Sequence, residues 1–143
     1  MNCYNLKYVL SLIVTRRPIG VSELKEKIVA GTVMLHLDDG TKKFLMCEKE
    51  SRLELAYTAI SQEKTGLANI LQLLKEEVCL DIANINLLEL TNGQAENRNV
   101  PLFVFEAKEA EQPTDLPKNY EWMAAKYFRQ AIQDFEIEGM PFF

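Results

Sequence analysis

A continuous apolar run in the last third of the chain constrains the fold more than any other feature. The run is Leu102-Phe103-Val104-Phe105, within a strand predicted for residues 100–108. A strand with one solvated face alternates between apolar and polar residues, so a strand that is apolar at every position has both faces covered. Helices on the two sides of a sheet provide such cover, and 143 residues suffice for this in one domain. The sequence therefore predicts an α/β protein with its sheet between helices.

Three further strands are predicted around this run. Val29–Leu37 and Lys42–Glu48 flank the turn Asp38-Asp39-Gly40-Thr41, in which Asp-Gly is typical of a tight hairpin. Residues 84–91 form the strand that precedes the apolar one, and the polar residues 92–99 are predicted to form the loop between them. The predicted sheet is thus built from two strand pairs.

The chain is predicted to end in a loop, a helix and a tail. Residues 109–119 contain Pro113 and Pro117, which favour a loop. Residues 120–134 predict the last helix, whose apolar stripe we expect to lie in the core: Trp122, Ala125, Phe128, Ile132 and Phe135. The tail, residues 136–143, ends in two phenylalanines and exposes aromatic surface unless it packs on the domain or on a second copy.

A helix predicted between the two strand pairs carries the most distinctive polar residues. Within residues 65–78, Thr65 is a suitable N-cap, and the apolar residues fall on one stripe: Leu67, Ile70, Leu71, Leu74 and Val78. Glu76 and Glu77 project away from this stripe, with Leu73 between them one turn earlier. The polar face is therefore predicted to present two carboxylates beside a leucine.

This segment resembles the signature box of the Nudix hydrolase family, G-x5-E-x7-R-E-U-x-E-E-x-G-U, in which U is a bulky aliphatic residue. Aligned without gaps, residues 58–80 retain four family positions: Leu74, Glu76, Glu77 and Leu80. Five positions differ, because the family has glycine, glutamate, arginine, glutamate and glycine in place of Thr58, Lys64, Gln72, Leu73 and Cys79. Upstream, residues 53–58 occupy the place of the W-E-L-P-G-G that commonly leads into the box.

The resemblance covers residues 29–135 as an order of elements. It implies a Nudix-like α/β/α sandwich with a mixed β-sheet between helices, so we expect a Nudix-like domain at residues 29–143. Residues 1–28 lie outside the resemblance and predict an N-terminal helical extension. Its apolar stripe, which we expect to pack on the domain or on a partner, consists of Leu6, Val9, Leu10, Ile13 and Val14.

The resemblance also implies pyrophosphate cleavage that depends on Mg²⁺ or Mn²⁺, with the metal held by oxygen ligands from the box glutamates. Leu73 replaces one of these glutamates with an apolar side chain, and Lys64 replaces another with a positive charge that competes with the metal. Glu76 and Glu77 remain as candidate metal ligands, although adjacent glutamates are also typical of a solvated helix surface. No catalytic residue is assigned.

These substitutions favour a Nudix-like domain that lacks ordinary pyrophosphohydrolase activity and works as a nucleotide-binding or interaction module. The alternative is a divergent metal-dependent pyrophosphohydrolase that acts on a nucleoside triphosphate or on a nucleoside diphosphate linked to another group. Such an enzyme needs a further carboxylate besides Glu76 and Glu77, and the choice stays open among Glu54, Glu63, Glu96 and Glu121. A third hypothesis is a homodimer or partner subunit that uses the N-terminal helix and the aromatic tail.

Bulk composition limits the partners. The net charge of −5 gives no attractive field for a nucleic-acid polymer, whereas a local site can still hold a small nucleotide. No segment reaches the ~20 apolar residues of a membrane helix. Cys3, Cys47 and Cys79 are odd in number and lack the spacing of a zinc site, which fits a reducing compartment. We therefore expect a cytoplasmic protein.

Overall fold

The computed structural model describes residues 27–61, 63–95 and 98–133. Within these ranges lie β1 Ile28–His36, β2 Lys42–Lys49, β3 Arg52–Glu54, β4 Ala56–Ala59, α1 Gly66–Glu76, β5 Asn86–Ala95, β6 Arg98–Lys108, β7 Tyr120–Ala124 and α2 Ala125–Gln133. Short 3₁₀ turns, Ile82–Asn84 and Glu109–Glu111, follow α1 and β6. Of the predicted helical extension, residues 1–26 lie outside the described residues. Its last two residues are described, and Ile28 is already the first residue of β1. The tail after residue 133 also lies outside the described residues.

The strands form one mixed sheet in the order β3-β2-β1-β6-β5. The central strand β1 runs parallel to β6 and antiparallel to β2, and β5 adds an antiparallel edge beside β6. Two short strands extend this path, since β4 pairs with β1 and β7 pairs with β2. Helix α1 packs on one face and α2 on the other, which confirms the predicted α/β/α sandwich.

The apolar run in β6 is covered on both faces, as predicted. Phe103 and Phe105 belong to the core cluster beneath α1, whereas Leu102 and Val104 belong to the cluster beneath α2. The neighbouring β1 is buried throughout residues 28–35. These two parallel strands therefore form the spine of the domain, and most of the free energy of folding gained by apolar burial comes from the two layers that meet on them.

The hairpin between β1 and β2 also forms as predicted. Gly40 has a φ of +89°, which favours glycine, and its amide donates to the Leu37 carbonyl at 3.0 Å. The Thr41 hydroxyl and amide both donate to Asp39 Oδ1, at 2.6 and 2.9 Å. Because these hydrogen bonds favour the ionised carboxyl, they hold the pKa of Asp39 below its ordinary 3.8.

The predicted loop at residues 92–99 is mostly strand. β5 and β6 remain paired along it, with Asn92 opposite Pro101 and Ala95 opposite Arg98. Polar residues are compatible with this ladder because β5 is an edge strand and need not bury both of its faces. The prediction was wrong because it took polarity alone as the sign of a loop.

The predicted single helix at residues 120–134 is a strand followed by a helix. Tyr120–Ala124 pairs with β2, and only then does α2 begin at Ala125. Trp122 accordingly packs with the cluster under α1, while Phe128 packs with the cluster under α2. Residues spaced for one helical face thus lie on opposite faces of the sheet, because pairing with the open edge of β2 overrides the helical pattern. Phe135 lies outside the described residues.

Of the helices in the described ranges, none has the length and apolar character needed to cross a bilayer.

Gly31 allows α1 to lie close to β1. A Cβ atom at this position would stand 2.6 Å from Cγ1 of Ile70, whose side chain is fully buried. We expect Gly31→Ala to lower the free energy of unfolding by about 1–3 kcal/mol, because the buried isoleucine must shift. In the control Gly66→Ala, the added Cβ meets nothing closer than 3.7 Å. That variant should keep or slightly raise stability, since alanine favours a helix. Urea unfolding of both variants checks this, and equal stabilities would contradict it.

Candidate functional site

Helix α1 begins with the predicted N-cap. The Thr65 hydroxyl accepts a hydrogen bond from the Ala68 amide at 3.1 Å, which satisfies one of the free amides of the first turn. The Asn69 side chain donates to the Thr65 carbonyl at 2.8 Å, which adds a second hydrogen bond to the same turn. The buried residues of the helix are Ile70, Leu73 and Leu74. The box segment is therefore anchored firmly on the sheet.

Leu73 is a core residue, with only 4% of its surface exposed. The prediction that it lies on the polar face between Glu76 and Glu77 is wrong. Ile70, Leu73 and Leu74 stand three and four positions apart and so share the stripe that faces the sheet. A carboxylate at this position would lose its hydration without a described partner, which explains why an apolar side chain fits here.

The remaining polar positions of the box form a hydrogen-bonded chain on the exposed face of α1. The Lys64 ammonium donates to Gln72 Oε1, and Gln72 Nε2 donates to Glu76 Oε1 at 3.1 Å. Lys64 lies just before the N-cap, and Glu76 is the last residue of α1. Gln72 hydrogen-bonds to both, so the chain of side chains runs along the helix from its start to its end. Glu76 thus has a protein donor where the family resemblance implies a metal.

Glu77, the C-cap of α1, differs from Glu76 in its environment. Glu76 is exposed, whereas Glu77 is partly buried. Burial raises the pKa of Glu77 above its ordinary 4.5, and the nearby Glu76 charge acts in the same direction.

The donor set does not fit the magnesium site that the resemblance implies. Across the described ranges, no three Asp, Glu, His or Cys side chains come together in a group that could hold a metal. Glu121, one possible further ligand, pairs in the sheet with Met46, a residue of the cluster under α2 on the face away from α1. Glu54 and Glu63 lie in β3 and in the turn before α1, and Glu96 lies outside the described residues. Mg²⁺ needs a near-octahedral set of oxygens, and adjacent glutamates alone do not supply it.

The two glycine positions of the box differ in backbone geometry. Thr58 lies in β4, paired with Val29, so no glycine turn exists there. Cys79 has a φ of +64°, in the left-handed region that favours glycine. The amides of Val78 and Leu80 donate to the carbonyls of Leu73 and Leu74 at 3.2 and 3.0 Å, which closes the helix end. The C-terminal end of the box therefore keeps the backbone geometry that glycine would favour, without the glycine.

A pocket of about 300 Å³ opens on the α1 side of the sheet, beside β7. The ends of β1 and β2, the loop after β6 and β7 itself supply its walls: Leu35, Leu37, Lys43, Glu109, Gln112, Pro113, Thr114, Asp115, Leu116, Tyr120, Glu121 and Trp122. Sequence reasoning missed this pocket. The signal was the alternation of Tyr120 and Trp122, which puts both rings on one face once the segment is a strand.

Two side chains hold the pocket walls in place. Gln112 is buried and forms a two-point contact with Asp81, since Oε1 accepts from the Asp81 amide at 2.9 Å and Nε2 donates to the Asp81 carbonyl at 3.0 Å. The Trp122 indole donates to the Pro113 carbonyl at 3.1 Å. Because Asp81 directly follows the box segment, Gln112 connects the pocket wall to the end of that segment. The pocket therefore has apolar surface and walls that hydrogen bonds hold in place.

The left-handed backbone of Cys79 gives a stability prediction. A non-glycine residue in this conformation costs about 1–2 kcal/mol, and the greater chain entropy of glycine in the unfolded state offsets about 0.5–1 kcal/mol of any gain. We expect Cys79→Gly to raise the free energy of unfolding by about 0.5–1 kcal/mol. Cys79→Ala is the matched control, because it removes the thiol and keeps the backbone cost. Thermal unfolding distinguishes the variants, and an equal gain in both would assign the effect to the thiol.

No protein-family model matches this sequence, and a comparison with curated proteins gives no match. Solved structures do share its fold, at sequence identities too low to show more than the fold. An Ap4A hydrolase of C. elegans, solved as a binary complex, is 12% identical, with a TM-score of 0.60 over 75% of this chain and 86% of that one. The Nudix hydrolase RenU of M. smegmatis is 8% identical, with a TM-score of 0.59 over 75% and 76%. The Nudix domain of Shewanella oneidensis NrtR, solved with ADP ribose, is 11% identical, with a TM-score of 0.50 over 85% and 86%.

Proposed function

We propose that this chain, whose described part has the fold of Nudix hydrolases, binds a nucleotide derivative in the pocket beside β7 and lacks ordinary pyrophosphohydrolase activity. One observation carries the proposal. Lys64, Gln72 and Glu76 form a chain of hydrogen bonds, and among the described residues no third metal ligand joins Glu76 and Glu77. The walls of the pocket, in contrast, are held in place by hydrogen bonds.

The loss of hydrolysis is supported at four positions of α1 and its approach. Leu73 packs in the core, so this position offers no oxygen donor to a metal or a water. Lys64 and Gln72 place a positive charge and an amide beside Glu76. Glu77 is made harder to ionise by its burial. A helix without metal-binding oxygen donors at these positions lacks the charge stabilisation that metal-assisted attack on a pyrophosphate requires.

The ligand class is supported by the pocket and by the fold neighbours. A volume of about 300 Å³ has room for a flat heteroaromatic ring and part of a sugar. Leu35, Leu37 and the indole of Trp122 give apolar surface to such a ring, and Thr114 and Asp115 offer groups that hydrogen-bond to its edge. Among the neighbours, one is named for a dinucleoside polyphosphate and another is a domain complexed with ADP ribose. A nucleotide derivative is the chemistry common to both.

Turnover assays test the first half of the proposal. With Mg²⁺ or Mn²⁺ present, we expect no hydrolysis of nucleoside di- and triphosphates, sugar nucleotides or dinucleotides above the rate of the Glu76→Gln variant. Equal background rates in both proteins follow if Glu76 holds no catalytic metal. A robust wild-type rate that Glu76→Gln abolishes would instead establish the divergent pyrophosphohydrolase.

Fluorescence titration tests the second half. Trp122 is the single tryptophan of the chain and lines the pocket, so its emission reports directly on the site. We expect a nucleotide derivative to change this emission saturably. Gln112→Leu should weaken binding about tenfold, because the wall loses hydrogen bonds that hold it in place. Gln94→Leu, an exposed change in β5 away from the pocket, should leave the Kd unchanged. A panel of nucleotides without effect on Trp122 would refute the proposed binding.

A further inference from the structure

The large apolar side chains that are exposed in the described part of the chain lie together on the edge strand β5. Leu87, Leu88 and Leu90 expose 49%, 39% and 51% of their surfaces. β5 is ten residues long, ends the sheet and carries a single charged residue, Glu89. Edge strands in soluble proteins normally carry more charge or a proline to prevent association. We call these three residues the leucine edge.

The leucine edge continues the layer that lies under α1. Leu87 pairs with Phe105 and Leu90 with Phe103, and side chains of directly paired residues share a face of the sheet. Both phenylalanines belong to the core cluster beneath α1. A bulge between Leu87 and Glu89 places Leu87 and Leu90 on this same face although they are three positions apart. The apolar layer therefore extends to the sheet edge, beyond the part that α1 covers.

We propose that residues 5–15 of the same chain cover the leucine edge. This segment carries an apolar stripe at helical spacing, made of Leu6, Val9, Leu10, Ile13 and Val14, which needs an apolar surface. In the described part of the chain, the three residues of the leucine edge expose 39–51% of their surfaces and so offer such a surface. A helix in this place adds a second helix beside α1 on its face of the sandwich.

The chain length outside the described domain permits this placement. Gly31 of β1 lies in register with Phe103 of β6, which pairs with Leu90, so the leucine edge is two strand spacings from β1, about 10 Å. The first described residue, Lys27, is four residues before Gly31, which adds about 13 Å along the strand. Residues 16–26 span up to about 35 Å when extended, which exceeds this separation. The linker therefore reaches the edge with slack.

The aromatic tail fits the leucine edge less well. α2, which precedes it, packs on the opposite face of the sheet and at the β2 side, three strand spacings from β5. Residues 134–143 span about 33 Å at most. To reach the leucine edge, they would have to cross the sheet and pass round its end at almost full extension, which leaves no length for packing.

A second copy also fits less well, because the available surface is small. Three leucines that are about half exposed offer apolar area on the order of 10² Å² in each copy. Stable protein interfaces bury at least about 1,200 Å² in total. A segment of the same chain needs far less area, since its tether gives it a high effective concentration at the edge.

Leucine methyl NMR on the full-length chain tests the proposal, with a soluble paramagnetic agent to measure exposure. We expect the methyl groups of Leu87, Leu88 and Leu90 to be weakly relaxed in the wild-type chain. Leu10→Asp should increase their relaxation severalfold, because a charge in the stripe releases the segment. Ser11→Asp, which adds the same charge outside the stripe, should leave it unchanged.

Three results would overturn the proposal. Strong relaxation of the leucine edge in the wild-type chain would show that nothing covers it. Weak relaxation that Leu10→Asp does not alter would assign the cover to another segment. Weak relaxation that rises on dilution would assign it to a second copy. A photo-crosslinker at position 9 gives an independent readout, and we expect its adducts within residues 86–91 of the same molecule.

Discussion

The double burial of β1 and β6 is the constraint on which the rest of this structure depends. Two parallel strands that are buried at every central position need a layer on each face. α1 supplies one layer and α2 the other, and the close contact of Ile70 with Gly31 sets the distance of the first. The position of each polar group in the box follows from how α1 is seated on this spine.

Much of the fold could be predicted from local patterns. The Asp-Gly turn, the Thr65 cap and the apolar run in β6 are each determined by neighbours close in sequence, and the structure confirms them. The last helix was predicted too long, because aromatic residues suit a strand as well as a helix and only the open edge of β2 selects between them. Long-range pairing of this kind leaves little trace in a single sequence.

The candidate site, like the fold, could be predicted only in part from the sequence. The segment that carries the family resemblance contains helix α1, as predicted. Helical spacing was applied wrongly to Leu73: the prediction placed it between Glu76 and Glu77, whereas its spacing of three residues from Ile70 places it on the buried stripe. The resemblance gave no view of the pocket, since residues from β1, β2, β7 and the loop after β6 meet only in the folded chain. The two hydrogen bonds between Gln112 and Asp81 join the pocket wall to the end of the box segment.

The burial of Leu73 has a consequence for how this sequence can change. A single exchange to glutamate would put a charge into a packed interior, at a cost of several kcal/mol, before any metal arrived to offset it. Marginal stability makes such a step hard to survive. A glutamate at this position therefore becomes tolerable only after the surrounding interior is remodelled.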